Sequence, residues 1–201
     1  NPGEMKKTVL IILLIFSLSS CDVLNQIGGA IQLSQCEYTY NSVADIQLAG
    51  INLGNGSTIS LSNFASISSI LTGGNLQTIP FSMTLNMDVK NPNQAAAFLN
   101  ALEYAIEINE MEFTTGKMDV PLRVEPGQTA VLPLSIGVDL KNLINRYSRD
   151  RVAREMSGFL GLSSDETKVT VKLWPKLMVG NRPVKVPAPI PVVFTFGGSN
   201  P

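Results

Sequence analysis

No histidine occurs in the 201 residues, and the only cysteines are Cys21 and Cys36. Without histidine the chain lacks the usual zinc ligand, the usual general base near neutral pH and the partner of Ser-His or Cys-His nucleophiles. Charge is sparse as well, with 15 Lys and Arg against 16 Asp and Glu and a net charge of −1. Such a balance supplies no large positive field to draw the chain onto nucleic acid, so no nucleic-acid partner is expected. Neither a glycine-rich phosphate loop nor a metal-binding cysteine cluster occurs, and neither metal nor cofactor is expected. The length corresponds to one domain.

What is present begins at the amino end. After Met5-Lys6-Lys7 comes an unbroken apolar run, Val9 to Phe16, followed by the small residues Ser17 to Ser20 around Leu18, and then Cys21. A basic region, a short apolar core and small residues together form the pattern of a secretory leader. Eight apolar residues are too few for a membrane-spanning helix, which needs about 20. Asn1 to Glu4 precede the apparent start and are set aside. Leu18-Ser19-Ser20-Cys21 resembles a bacterial lipobox, in which the cysteine sulfur receives a diacylglycerol and cleavage just before it frees an amino group for acylation. Several acyl chains hold a protein at a membrane where one would not. The reading is a leader over residues 1–20, a lipidated tether or short helix over 21–36, and one domain over 37–201. It places the chain at the cell envelope, anchored through N-terminal acyl chains, with the outer membrane favoured over the inner although Asp22 resembles an inner-membrane retention signal. If Cys21 becomes a thioether, no intramolecular disulfide can form, and Cys36 reads as a small buried residue.

The remainder has the period of two that marks strands with one dry and one wet side. Apolar residues occupy positions 79, 81, 83, 85, 87 and 89, and the run ends at Asn91-Pro92-Asn93, where proline cannot donate a ladder hydrogen bond. The same alternation recurs at Leu102 to Ile108, at Val120, Leu122 and Val124, at Leu132 to Leu140, at Val169 to Leu173 and at Ile190 to Phe196. Weaker pairs are Ile46 with Leu48, Ile51 with Leu53 and Ile59 with Leu61. The expected fold is an antiparallel β-sandwich of about seven or eight strands with one or two short helices inserted near residues 139–161. Within that insertion Leu140, Leu143, Ile144 and Tyr147 share one helical face, while Val152, Met156 and Phe159 lie away from it. One straight helix cannot bury both sets, so a break is expected near Ser148 to Asp150.

Charge is unevenly spread: residues 21–140 hold 3 bases against 11 acids, and residues 141–185 hold 10 bases against 4 acids. Arg146, Arg149, Arg151 and Arg154 could meet an anionic surface such as lipid headgroups. The plainer alternative is a solvated helical pair attracted to the acidic strand residues.

Between residues 79 and 140 the order is a strand ending in Val89-x-Asn91-Pro92-Asn93, then Tyr104-x-Ile106-x-Ile108, then Pro126-Gly127 before Leu132-x-Leu134-x-Ile136-x-Val138. This resembles the late embryogenesis abundant type-2 family, also called the water-stress and hypersensitive-response domain. The resemblance implies a small antiparallel sandwich with a helix beside its sheets, tied to stress tolerance and not to catalysis. It implies no catalytic residues, and Asn91, Pro92 and Asn93 enter as a structural signature. With its lipobox, the whole is similar to a lipoprotein of Gram-negative bacteria built on that domain.

Three functions follow as expectations. The first is a membrane-anchored module that binds an envelope macromolecule or lipid, or protects the envelope. The second is a carrier of a hydrophobic ligand in an apolar cavity between the sheets. The third is a glycan hydrolase using Glu103, Glu107, Glu110 and Glu112, which needs no histidine. Calcium held by the same acids has no loop of spaced acidic residues behind it. Trp174 is read as a packing residue before a ligand contact.

Overall fold

The computed structural model describes residues 24–55, 67, 69–70, 76–179 and 182–196. The proposed leader, Leu18, Ser19, Ser20 and Cys21, and the expected Ile59 and Leu61 strand lie outside these. Among the described residues a helix α1 over 24–34 precedes eleven strands and two further helices. In chain order these are β1 (Glu37–Leu48), β2 (Ile51–Gly54), β3 (Pro80–Lys90), β4 (Ala97–Leu99), β5 (Ala101–Ile108), β6 (Met111–Met118), β7 (Leu122–Val124) and β8 (Thr129–Asp139). Then come α2 (Leu140–Tyr147), α3 (Arg149–Phe159), β9 (Thr167–Val179), β10 (Arg182–Lys185) and β11 (Ile190–Phe196). One sheet runs β2-β1-β3-β8 and a second runs β10-β9-β5-β6 with β11 also on β9, while β4 and β7 form a separate ribbon. All pairings are antiparallel.

The fold is the expected mainly-β sandwich, with more strands than anticipated: β4 and β10, three and four residues long, carry too little alternation to be recognised, and β6 lies outside the expected rows. The expected row Val120, Leu122, Val124 is shorter than foreseen: Val120 lies outside β7 and is exposed, and only Leu122 and Val124 turn inward.

Strand β3 has the periodicity written in its sequence, with Phe81, Met83, Leu85, Met87 and Val89 buried and the residues between them half-exposed. They face Leu102, Tyr104, Ile106 and Ile108 of the other sheet within one core. Pro133 is accommodated because β8 is an edge strand of its sheet. At one end of the sandwich aromatic rings meet edge to face in sequence. Phe81 meets Phe113 at 5.9 Å, Phe113 meets Phe159 at 5.7 Å, Phe159 meets Phe196 at 6.2 Å and Phe196 meets Tyr40 at 4.9 Å. Rings from both sheets and α3 are thereby stitched into one cluster, in the geometry aromatic quadrupoles favour.

The helical insertion breaks where its two apolar faces require. Ser148, at φ 99°, ends α2 by donating its N–H to the Ile144 carbonyl at 3.1 Å and starts α3 by accepting from the Arg151 N–H at 3.4 Å. Leu140 and Leu143 are buried from α2, and Val152, Met156 and Phe159 from α3. The Asp139 carboxylate caps α2 by accepting from the Lys141 N–H at 2.9 Å and the Ile79 N–H at 2.8 Å, tying the helix start to the entrance of β3.

From residue 24 the segment expected as a tether or short helix is a helix docked on the domain. Leu33 is buried, and a Cβ at Gly29 would meet the Phe98 ring at 2.5 Å, so only glycine allows this approach. The Gln26 amide accepts from the Met178 N–H at 2.6 Å and donates to its carbonyl at 3.4 Å, opposite Pro183, which has no N–H to offer. Cys36 is buried as expected, its thiol donates to the Gln32 carbonyl at 3.4 Å, and burial pushes its pKa up.

Candidate functional site

The most tightly organised polar group is the turn that ends β3. The Asn91 side chain is fully buried and makes four hydrogen bonds. Its Nδ2 donates to the carbonyls of Ala95 and Val124, both at 2.9 Å. Its Oδ1 accepts from the backbone N–H and the Nδ2 of Asn93, at 3.0 and 2.8 Å. The main chain adds an Asn91 N–H to Gln128 carbonyl bond of 2.9 Å and a Gly127 N–H to Asn91 carbonyl bond of 2.8 Å. Asn93 also donates to the Gln32 carbonyl at 3.0 Å, so the turn joins β3, β7, the Pro126-Gly127 turn and α1. Pro92, between the two asparagines, makes no demand for a donor where the chain leaves the ladder. The signature is a junction of four segments, held by bonds to backbone and by one bond between its two asparagine side chains.

The second group lies on the outer face of the sheet formed by β5, β6, β9 and β10. Register places Glu103 opposite Trp174 and beside Lys117. Glu103 accepts from Lys185 at 2.8 Å and Lys176 at 3.0 Å, and Glu107 pairs with Lys172. The hydrogen bonds from Lys185 and then Lys176 hold the Glu103 carboxyl down to about 2. Lys185 also lies 4.1 Å from the Trp174 ring centre, a cation–π contact. A shallow cleft of about 410 Å³ runs between Trp174, Lys185, Glu103 and Lys117. A carboxyl so strongly ionised is unsuited to act as a general acid, and Glu107 is committed to its lysine, so this face is built for ion pairing.

Under the same sheet, Tyr104 reaches across to the other layer, where its hydroxyl donates to the Ser135 carbonyl. The ring crosses the space over Gly116, its register partner, where any Cβ would overlap it.

The arginines of the helical insertion engage several partners within the molecule. Arg146 pairs with Glu112 of β6 at 3.3 Å, Arg154 with Glu155 of its own helix at 3.6 Å, and Arg151 donates to the Asn109 carbonyl at 3.4 Å. Arg146 and Arg151 both lie over the Tyr147 ring, and Arg149 also has a partner. With Glu103 and Glu107 bound to lysines of β9 and β10, the basic stretch 141–185 meets the acidic stretch 103–112 within the molecule.

Sequence reasoning missed Asn109. At φ 46° it turns β5 into β6, and its side chain donates to the buried Glu155 at 2.5 Å and accepts from the Lys168 N–H at 2.9 Å. A lone asparagine in a turn is the signal that could have marked it. Among the described residues no group of three or more acids and cysteines could hold a metal ion.

Fold and chemistry together define an antiparallel β-sandwich with a buried asparagine junction and charged groups paired across its outer face. The chain belongs to the late embryogenesis abundant protein family, whose model matches residues 86–191, just over half the sequence. The match takes in the Asn91-Pro92-Asn93 turn and the whole ion-paired face. Membership gives the chain the character of a stress-related module, generally without enzymatic activity. No curated protein matches the sequence. Solved structures similar to it include an Archaeoglobus fulgidus protein, 17% identical with a TM-score of 0.33, covering 64% of this chain and 92% of its own. Another is a protein of Arabidopsis thaliana solved in solution, 12% identical with a TM-score of 0.36, covering 80% of this chain and 83% of its own. A third, a candidate late embryogenesis abundant protein solved in solution, is 11% identical with a TM-score of 0.33, covering 94% of this chain and 89% of its own.

Proposed function

We propose that the chain is a lipoprotein of the bacterial cell envelope, held through acyl chains on Cys21, whose non-catalytic sandwich binds an envelope macromolecule or lipid and so protects the envelope under stress. The observation that carries this reading is the lipobox Leu18-Ser19-Ser20-Cys21 directly behind a basic and apolar leader. Family membership supports the stress-related part, and the pairing of Glu103 and Glu107 with lysines favours it over a glycan hydrolase. The edge-to-face ring contacts between the sheets favour a filled interior over a ligand-carrying cavity.

Labelling of cells with an alkyne fatty acid tests the anchor. Label on the wild-type chain and none on Cys21→Ala is the expected result. Unlabelled wild type, or label that survives the substitution, would overturn it.

A further inference from the structure

Helix α1 turns one apolar stripe away from the domain. Leu24, Ile27 and Ile31 are spaced three and four residues apart, hence on one face, and are 64%, 38% and 49% exposed, while Leu33 on the other side is buried. The stripe does not stop at the helix. Ile27 and Ile31 line an apolar groove of about 190 Å³ with Leu177, Val186, Ala188 and Ile190, and Val184 of β10 stands 46% exposed. Of the charged residues in the two segments that build this face, 24–36 and 182–190, Lys185 is turned to the opposite side of the sheet, where it pairs with Glu103, and Arg182 shares the side of Val184 and Leu177. Apolar side chains with a base at their edge and no acid in either segment suit the interface of an anionic membrane.

We propose that this face, α1 with the segment 182–190, is the surface by which the domain lies on the membrane. The occupant follows from chain length and charge. Only three peptide steps separate Cys21 from Leu24, a reach of about 10 Å at most, so acyl chains on Cys21 bring the stripe to the depth at which interfacial helices bury their apolar side. This rests on the reading of Cys21 as the lipid-attachment site, and it adds an orientation: the sandwich is docked end-on by α1 and does not swing on a flexible stalk.

The test uses full-length chain, processed in cells, purified and mixed with vesicles of phosphatidylethanolamine and phosphatidylglycerol brominated in their acyl chains. In a Trp174→Phe background, single tryptophans are placed by Leu24→Trp, by Ile31→Trp and, on the other sheet, by Val131→Trp. The expected result is flotation of all three with the vesicles and bromine quenching about threefold stronger at 24 and 31 than at 131. Flotation with equal quenching at the three positions overturns the docking face alone and leaves the anchor standing. Equal quenching together with a doubled mass in light scattering assigns the stripe to a second copy and also overturns it. Chain that remains unfloated overturns anchor and face together.

Discussion

Replacing Asn91 is the sharpest perturbation of the fold, because one side chain there satisfies four partners without access to water. Alanine removes all four bonds and takes a donor from the buried Val124 carbonyl. At about 0.5–1 kcal/mol net per hydrogen bond, with about 1 kcal/mol more for a stranded buried polar group, the loss falls near 3–5 kcal/mol. For a chain of this size that lowers the midpoint of thermal unfolding by on the order of 10 °C. Aspartate has nearly the same shape, and its Oδ1 can still accept from Asn93, but it puts an oxygen where an NH2 faced the carbonyls of Ala95 and Val124. Burial against two carbonyls raises the folded-state pKa of this aspartate above its unfolded value of about 3.9. With the folded pKa raised, stability is fully present below the unfolded pKa, where the neutral acid donates one bond, and is lost as pH rises through the folded pKa. Urea unfolding, followed by fluorescence of Trp174, the sole tryptophan, measures both effects. The expected outcome is Asn91→Asp closer to wild type at pH 4 than at pH 7. A loss below about 1 kcal/mol for alanine, or an aspartate penalty unchanged by pH, would refute the junction.

Gly116→Ala drives a methyl group into the Tyr104 ring and should cost about 1–3 kcal/mol in the wild type but add little to the cost of Tyr104→Ala, which clears the space; urea midpoints of both single variants and the double variant check it. Phe113→Ala removes the ring between Phe81 and Phe159 and should cost about 3–5 kcal/mol by the same assay. Glu103→Gln tests the ion-paired face. A carboxyl lowered to about 2 stabilises above its unfolded pKa and loses that contribution as pH falls toward 2, so wild type and variant should differ at pH 7 and converge by pH 2. Parallel stability curves for the two chains across that range would count against it.

Local periodicity carried much of this fold. The alternation from Phe81 to Val89 is a local property, and so is the mismatch between Leu140 with Leu143 and Val152 with Phe159 that forces a break at Ser148. Pairing between distant segments is not local, and there the sequence was silent. Nothing in the order of residues shows that Glu103 lies across from Trp174, that Lys176 and Lys185 both reach it, or that Gly116 leaves room for Tyr104. The Asn91-Pro92-Asn93 turn was legible as a signature, yet its reach to Gln32 in α1 depends on how the helix docks. That docking was hidden because glycines carry no side chain to mark a packed face, yet Gly29 is where the helix backbone comes close to Phe98.

The most direct measurement is the mass of the N-terminal peptide of the mature protein purified from cells. The account predicts a chain beginning at Cys21 and heavier by a diacylglycerol on sulfur and an acyl group on the amino end. A peptide beginning elsewhere, or Cys21 with a free thiol, would contradict it.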